Sequence, residues 1–237
     1  MEQRNRHAHD AVPAKRGVSQ LTRAGDRAAS FSARMRTRRF ARFREAVAGL
    51  PRPLRILDVG GTNAFWEACG WAGLPEVRIT LVNTEPEKQR HENIVSCCGD
   101  ARDLHQFATL GFEICFSNSV IEHLFTRDAQ RIMAEQVRRV APRYWVQTPN
   151  FWFPIEPHFE FVGWQWLPEG LRVAMLRRRG FGWRERAPDL ETARRSVREI
   201  RLLTRTELEE LFPDGTLEAE RYLGLVKSWI VSRGLTP

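Results

Sequence analysis

The sequence lacks the segments that carry a chain into or across a membrane. No window approaches the roughly 20 uncharged apolar residues of a transmembrane helix. Residues 1–30 are charged and contain no apolar core, so they do not have the pattern of a secretory signal. These absences predict a cytoplasmic chain without a membrane span.

Cysteine is scarce, and no metal-binding pattern accompanies it. The four cysteines are Cys69, Cys97, Cys98 and Cys115, and their spacing matches no zinc motif. They lie in apolar segments, and the neighbours Cys97 and Cys98 would point to opposite faces of a strand. We therefore expect reduced, buried thiols. No cluster of carboxylates indicates a metal site either, so the sequence identifies no metal ligands and leaves metal dependence open.

Apolar residues, by contrast, are sufficient for a large core. The chain has 237 residues, of which 42% are hydrophobic, with 14 Phe and 8 Trp. This composition excludes a disordered, collagen-like or coiled-coil chain and fits one α/β domain.

The positive charge is concentrated at the N-terminal end. The net charge is +8; residues 1–55 hold 14 basic and 4 acidic residues, and the rest hold 23 and 25. A basic arm is able to bind nucleic acid, but the first 30 residues have few aromatics for base stacking. We predict a solvated, flexible leader over residues 1–28 and a single domain over 29–237. Within that domain we predict a helix over 29–50, which Pro51 ends, and a lid over 151–198.

Short apolar strands alternate with helices in the middle of the chain, which predicts a parallel sheet. Polar residues follow each strand, and ligands bind beyond the carboxyl ends of such strands. The predicted strands are Leu54–Val59, Ile79–Asn83, Ile94–Cys98, Phe112–Ser117 and Arg143–Thr148, with a hairpin over 217–231 closing the fold. The predicted helices cover residues 64–71, residues 127–140, and a short segment that begins at a Thr204–Glu207 capping box and ends at Leu211. The stretch at 177–198, rich in arginine and glutamate, is predicted to lie at the surface. The polar ends are Asp58/Gly60, Asn83/Glu85, Asp100, Asn118 and Thr148/Asn150.

A glycine loop joins the first strand to a helix at Leu57-Asp58-Val59-Gly60-Gly61-Thr62. The loop has neither the G-x-G-x-x-G pattern of a dinucleotide site nor the Walker pattern of a nucleoside triphosphatase. Glycines nevertheless allow the backbone to approach a ligand closely.

Four segments together resemble the class I S-adenosylmethionine-dependent methyltransferases, and within them the type 11 branch. The segments are Ile56 to Thr62, Asn83 to Glu85, Gly99-Asp100-Ala101-Arg102-Asp103-Leu104, and Phe112 to His123 with its Ser117-Asn118-Ser119-Val120-Ile121-Glu122-His123 end. The resemblance covers about residues 50–150. It implies a seven-stranded, mostly parallel Rossmann-like sheet with helices on both faces and the last strand antiparallel.

The resemblance also implies how S-adenosyl-L-methionine would be held. Asp58, Gly60, Gly61 and Thr62 would bind its methionine end. Asn83, or Glu85 if it reaches in, would bond the ribose, and Asp100 with Ala101 would bond the adenine. Ser117 and Asn118 would lie near the sulfonium. The chain departs from the family at Thr62 and Ala64, where glycines are usual, and at Asn83, where the family has an acid.

An aromatic segment over residues 151–166 follows the fifth strand and contains Glu156 and His158. These two residues, and then His123, are our candidates for a general base acting on an acceptor. The alternatives are that His158 bonds the backbone of the lid, that the aromatic residues form a flap packed on the sheet, and that Glu122-His123 shapes the next helix.

The pattern as a whole predicts a methyltransferase for a small molecule, most readily at an oxygen of a sugar or another natural-product-like hydroxyl. One alternative is an RNA methyltransferase that uses the basic arm. The Asp/Asn-Pro-Pro-aromatic motif of base-amine methylases is absent after strand four. The other alternative is a non-catalytic relic of the fold that binds the cofactor or nothing. The oligomeric state is not readable from the sequence.

Overall fold

The computed structural model describes residues 23–235, with side chains from residue 34 onward. The described residues divide after Ala41 into two units, and helix α1 (Arg23–Ala46) includes the boundary between them. The helix begins inside the predicted leader because alanine and arginine, which favour helices, are frequent there. It ends before residue 50, and a turn continues to Leu50. The rest of the predicted leader, residues 1–22, lies outside the described residues.

The second unit contains a seven-stranded sheet with the order β3-β2-β1-β4-β5-β9-β8. Strands β1 to β5 are parallel, and the last strand, β9, runs antiparallel to both of its neighbours. The predicted fold class is thus confirmed. The strands are β1 (Leu54–Val59), β2 (Val77–Asn83), β3 (Ile94–Cys98), β4 (Ile114–Asn118), β5 (Arg143–Pro149), β8 (Thr216–Tyr222) and β9 (Leu225–Arg233).

The central strands are buried because helices cover the sheet. In β1 every residue except Arg55 is buried, as the continuous apolar run predicts for an inner parallel strand. Helix α3 (Arg127–Val140) packs Met133, Val137 and Val140 into the same core. It starts at Thr126, whose side chain accepts a hydrogen bond from the Ala129 amide. The bounds predicted for this helix are confirmed.

Two local predictions need correction. Helix α2 (Asn63–Ala68) is shorter than the predicted Ala64–Trp71, because the chain turns at Cys69 and Gly70, whose φ is +72°. Four free thiols are present, but only Cys115 is fully buried, and Cys98 is exposed. Cys98 is exposed because β3 is an edge strand of the sheet.

The segment between β5 and helix α6 (Arg205–Leu211) has its own small core. It contains a hairpin of β6 (Ile155–Glu156) and β7 (Phe161–Val162), followed by α4 (Glu169–Arg178) and α5 (Leu190–Arg198). The arginine-rich stretch at 177–198 reads as surface in the sequence. That interpretation is wrong for the inner face of α5, where Ala193 and Val197 are buried.

The closing elements follow their local signals. Helix α6 has the predicted capping box, in which Thr204 and Glu207 each bond the other's backbone amide. Among the described helices, none has the length and apolarity needed to cross a bilayer.

Candidate active site at the carboxyl edge of the sheet

The sheet has a switch point between β1 and β4. From β1 the chain moves outward to β2 and β3 on one side, and then returns to β4 and β5 on the other. In open α/β sheets, ligands bind in the crevice outside the carboxyl ends of the strands at such a point. The ends that meet at this edge carry Gly60, Asn83, Asp100, Asn118 and Thr148.

Both glycines of the loop after β1 are required by close contacts within the protein. Gly60 has a φ of +79°, and a Cβ atom there would lie 2.4 Å from Val120 Cγ2. A Cβ atom on Gly61 would lie 1.7 Å from Asp58 Oδ2. The loop therefore folds tightly between a carboxylate and the segment that follows β4.

Asp58 lies inside the protein next to this loop. Its side chain is buried, and Oδ2 accepts a hydrogen bond of 2.8 Å from Trp66 Nε1. Oδ1 has no hydrogen-bond partner among the described residues. Burial raises the pKa of Asp58 to about 7, and the Trp66 hydrogen bond partly opposes this. The buried Asp58 side chain thus packs against the loop and holds its conformation.

The start of α2 is occupied by side chains of the protein. Thr62 Oγ1 accepts from the Phe65 amide at 3.2 Å and so caps the helix. The carboxylate of Glu87 accepts from the Asn63 amide at 2.8 Å and from Asn63 Nδ2 at 2.7 Å. Glu85, the predicted alternative to Asn83 at the ribose, is exposed. Glu87 was missed because nothing in the local sequence pairs it with Asn63.

Asn83 and Asp100 lie at the ends of neighbouring strands, and each has a partner within the protein. Asn83 Nδ2 donates to the Gly61 carbonyl at 2.8 Å. Asp100 accepts from Arg102 Nε at 2.9 Å and from Arg102 Nη2 at 2.5 Å. These Arg102 hydrogen bonds hold the pKa of Asp100 below its ordinary value. Ala101, next to Asp100, is partly buried against the core.

The two polar residues at the end of β4 differ in exposure. Ser117 is fully buried, and its Oγ donates to the Val59 carbonyl at 3.1 Å, which joins β4 to β1. Asn118 is half-buried beside Gln147 of β5. Ser119 then turns the chain with a φ of +57°.

The residues at the carboxyl ends of β1, β2 and β3 fit a nucleoside that lies along these ends. Backbone bonds hold the three ends in line, from Gly60 N to Val82 O at 2.8 Å and from Gly99 N to Asn83 O at 2.9 Å. Asn83 and Asp100 are half-exposed, and amide and carboxylate oxygens accept from hydroxyl and amino groups. No described residue donates to the amide oxygen of Asn83. Asp100 would bind such a ligand alongside, or in place of, Arg102.

A second group of side chains lies beyond β5, in the turn of the β6–β7 hairpin. Glu156 is buried, and its Oε2 accepts from the backbone amides of His158 and Phe159 at 2.8 and 2.7 Å. Its Oε1 lies 2.7 Å from His158 Nδ1. Because a carboxylate only accepts, Nδ1 carries a proton, and Nε2 is then the acceptor nitrogen of a neutral ring. Glu156 therefore holds the conformation of the hairpin turn and determines which ring nitrogen of His158 carries the proton.

Glu122 and His123 join this pair from a 3-10 turn (Ile121–His123) after β4. The ring of His123 packs edge to face on His158, with centroids 4.8 Å apart. Glu122 is fully buried, and its Oε2 accepts from Thr148 Oγ1 at 2.9 Å. Burial raises the pKa of Glu122 to about 7. We call Glu122, His123, Glu156 and His158 the histidine cluster.

Hydrogen bonds from neighbouring elements hold the histidine cluster in position. Arg201 N donates to the Glu122 carbonyl at 2.7 Å, and Gln130 Nε2 donates to the Ile121 carbonyl at 2.9 Å. On the other side, Gly182 packs against the backbone of His158 and Phe159, where a Cβ atom would come within 3 Å. The histidine cluster is thus supported by the sheet and by the segment between β5 and α6.

A cavity of about 360 Å³ adjoins the cluster at Glu156. Its wall combines aromatic faces with polar groups: Phe151, Phe159, Trp164, Gln165, Arg172 and Thr204. Gln165 Oε1, Arg172 Nε and Trp164 Nε1 are buried and have no hydrogen-bond partner among the described residues. Aromatic faces with unpaired donors and acceptors suit a polar organic ligand.

Comparison with known proteins gives the fold. No protein-family model and no curated protein matches the chain. Among solved structures, the magnesium protoporphyrin IX methyltransferase of Synechocystis PCC 6803, with bound SAH, matches at a TM-score of 0.52 and 9% identity, over 91% of this chain and 89% of that one. The CurJ carbon methyltransferase matches at 0.52 and 12%, over 84% of this chain. That match spans 53% of the CurJ chain, so this chain is similar to about half of it.

A third match is the N-terminal domain of EvdMO1, solved in the presence of SAH and D-fucose. Its TM-score is 0.50 at 18% identity, over 85% of this chain and 83% of that one. This chain therefore shares the fold of these methyltransferases. The type 11 branch and the roles of individual residues stay predictions, because likeness at these identities concerns the fold alone.

Within this methyltransferase fold, the carboxyl edge brings most of the predicted site residues together. They form two groups, one along β1, β2 and β3 and one around His158. Glu122, Glu87 and Trp66 were not among the predicted site residues. Glu122 is adjacent in sequence to His123, a predicted residue, and this adjacency was the one signal available.

Proposed function

We propose that this chain transfers a methyl group from S-adenosylmethionine to an oxygen nucleophile of a small polar molecule. The observation that carries the proposal is the Glu156–His158 pair beside the carboxyl edge of a methyltransferase-fold sheet. The edge supplies groups that fit the cofactor, and the pair supplies a base next to a polar cavity.

The cofactor would lie along the ends of β1, β2 and β3. Asn83 would bond the ribose hydroxyls, Asp100 would accept from the adenine amino group, and the Gly60-Gly61 loop would face the methionine end. When bound, S-adenosylmethionine supplies an activated methyl group and its own leaving group. What remains for the protein is to align the acceptor, and alignment can contribute roughly 7–11 kcal/mol.

The acceptor would enter from the side of His158. With Nδ1 bonded to Glu156, Nε2 is the atom that would take the hydroxyl proton as the methyl group is transferred. The buried carboxylate would stabilise the resulting imidazolium, as an orienting acid does in other histidine-based sites. The cavity beside Glu156 would hold the rest of the acceptor, with Arg172 and Gln165 bonding its polar groups and Trp164 covering an apolar face. A sugar or another polyhydroxylated molecule would match this combination of polar groups and an aromatic face.

The proposal is tested in two steps. The first is calorimetry with S-adenosylhomocysteine on the wild type and on Asp100→Ala. We expect binding by the wild type and at least a tenfold loss in the variant, because a hydrogen bond to a charged group contributes about 1.5–3 kcal/mol. No binding at millimolar ligand would favour the non-catalytic relic.

The second step measures transfer of a labelled methyl group to a panel of monosaccharides, nucleotide sugars and phenols. His158→Ala should lower turnover about 10²–10⁴-fold and leave the affinity for S-adenosylhomocysteine unchanged. His105→Ala is the matched control. His105 is an exposed histidine, and its ring pairs with Asp103 in the turn after β3. Equal turnover in His158→Ala and wild type would remove His158 from the reaction. Activity on RNA alone, with salt-dependent binding, would favour the RNA alternative.

A further inference from the structure

Three members of the histidine cluster have the geometry of a metal site. One donor atom each from Glu122, His123 and His158 can be chosen so that all three lie within 4.8 Å of one another. Ligand atoms around a first-row ion with bonds of about 2.0–2.2 Å are roughly 3–4 Å apart. The most distant donor atoms would therefore need to approach each other by about 1–2 Å.

A buried carboxylate oxygen in the cluster has no partner. Glu122 is fully buried, Thr148 bonds its Oε2, and its Oε1 has no hydrogen-bond partner among the described residues. An uncompensated buried polar group is costly, and coordination of a cation is one of the ways in which proteins compensate it. Within the part of the chain that the structure describes, no lysine or arginine forms an ion pair with Glu122 or Glu156.

His158 is oriented as metal-ligating histidines are. Such histidines donate one ring N–H to a carboxylate or a carbonyl, and this fixes the ring and leaves the other nitrogen for the metal. Glu156 makes that contact with Nδ1 at 2.7 Å. In the same way, Thr148 donates a hydrogen bond to the carboxylate of Glu122 and orients it. Two of the three ligands are thus held by an outer partner.

We propose that Glu122, His123 and His158 bind one divalent first-row transition-metal ion, with Glu156 as the outer carboxylate. Two imidazoles and one carboxylate suit Mn²⁺, Fe²⁺, Co²⁺ or Zn²⁺, whereas Mg²⁺ and Ca²⁺ prefer sites made of oxygen ligands. The sequence suggests no metal because His158 is separated from the other two ligands by a strand and a helix.

The catalytic role of this ion rests on the proposed function. An acceptor hydroxyl bound to the ion would have a lower pKa, as metal-bound water does, and would release its proton to solvent before methyl transfer. In the ion-bound chain His158 would hold the ion that acidifies the acceptor hydroxyl, and in the ion-free chain it would take the hydroxyl proton itself, so the proposed methyl transfer to oxygen is the same in both. Binding of the ion itself is testable without cofactor or acceptor.

The test is a Co²⁺ titration of the full-length, tag-free chain after treatment with a chelator, followed by visible absorption. We expect one Co²⁺ per chain, displaced by Zn²⁺ and unaffected by millimolar Mg²⁺. His123→Ala and His158→Ala should each weaken binding at least tenfold, and Glu156→Gln should weaken it 10- to 100-fold. Glu122→Gln removes a buried charge and is included only if its circular dichroism matches the wild type.

Controls separate this site from other ligands in the chain. The titration is repeated in a His7→Ala/His9→Ala/Cys98→Ser background, which removes a histidine pair and an exposed thiol. Binding should persist there and in His105→Ala. The proposal is overturned if the wild type binds no stoichiometric Co²⁺, or if both histidine variants bind as the wild type does. Retained binding of S-adenosylhomocysteine by the chelated protein would show that such a failure concerns the ion and not the proposed methyl transfer.

Discussion

Asp58 shows how a buried carboxyl can shape a loop at the edge of the sheet. Its carboxyl is buried under the glycine loop, bonded to Trp66, and separated from solvent by the residues it supports. The side chain lies so close to Gly61 that no Cβ atom would fit there. Asp58 and the glycine are therefore a matched pair, and the carboxyl is a source of pH-dependent stability.

The first prediction concerns the pH dependence that Asp58 produces. Because the folded protein raises the pKa of Asp58 from 3.8 to about 7, folding favours the protonated carboxyl. Its contribution is fully present below pH 3.8 and is lost as the pH rises towards 7. Asp58→Asn cannot ionise, so its stability relative to the wild type should increase by about 2–3 kcal/mol between pH 5 and pH 8.

Urea denaturation at several pH values measures this difference. Asp103→Asn is the control, because Asp103 is exposed and a hydrogen bond from His105 lowers its pKa, so the contribution of the Asp103 carboxyl changes only at pH values below this window. A difference between Asp58→Asn and wild type that does not vary with pH would mean that the Asp58 carboxyl is hydrated in solution.

At the scale of elements, the turn after β3 and the β6–β7 hairpin position the two halves of the site. In the first, the chain bends so that Arg102 bonds the carboxylate of Asp100, the group expected to accept from adenine. In the second, Glu156 bonds the turn that carries His158. Each turn is thus shaped by a carboxylate that also belongs to the site.

The second prediction follows from the Asp100–Arg102 pair. If Arg102 competes with the cofactor for Asp100, Arg102→Gln should increase the affinity for S-adenosylhomocysteine by up to about fivefold, because partly exposed ion pairs contribute roughly 0.2–1 kcal/mol. Calorimetry measures the change. Arg55→Gln, which breaks the ion pair with Glu113 at the opposite end of β1, is the matched control and should leave the affinity unchanged. Weaker binding by Arg102→Gln would instead indicate that Arg102 contacts the cofactor.

At the scale of the whole molecule, the sheet and the segment between β5 and α6 together form the proposed site. The core beneath the sheet supports the strand ends, and a separate core under α4 and α5 supports the cavity. A ligand that binds this assembled edge binds only the folded chain. Ligand binding and global stability are therefore linked.

The third prediction uses this linkage. S-adenosylhomocysteine at 100 times its dissociation constant should increase the free energy of unfolding by about 2.7 kcal/mol. Urea denaturation with and without the ligand measures the increase. NAD⁺ is the matched control, because the loop after β1 lacks the dinucleotide pattern, and it should leave the midpoint unchanged. Equal stabilisation by both compounds would contradict a site specific for the sulfur nucleoside.

The sequence by itself determined the sheet, the bounds of helices α3 and α6, and the polar strand ends. Those features depend on local signals: apolar runs for β1 to β5, the Thr126 cap of α3 and the Thr204–Glu207 capping box of α6. Each signal acts over a few residues, so it can be recognised without knowing the rest of the fold. The bounds of α1 and α2 were less accurate because end positions depend on small differences in propensity.

Only the tertiary structure decided which polar groups meet. Glu122 comes from the end of β4 and His158 from a hairpin beyond β5, and they become neighbours because β4 and β5 are adjacent in the sheet. In the same way, Trp66 reaches Asp58, and Glu87 reaches Asn63, only after α2 packs on the sheet. Contacts between distant segments follow from strand order and helix packing, and a local sequence pattern contains neither.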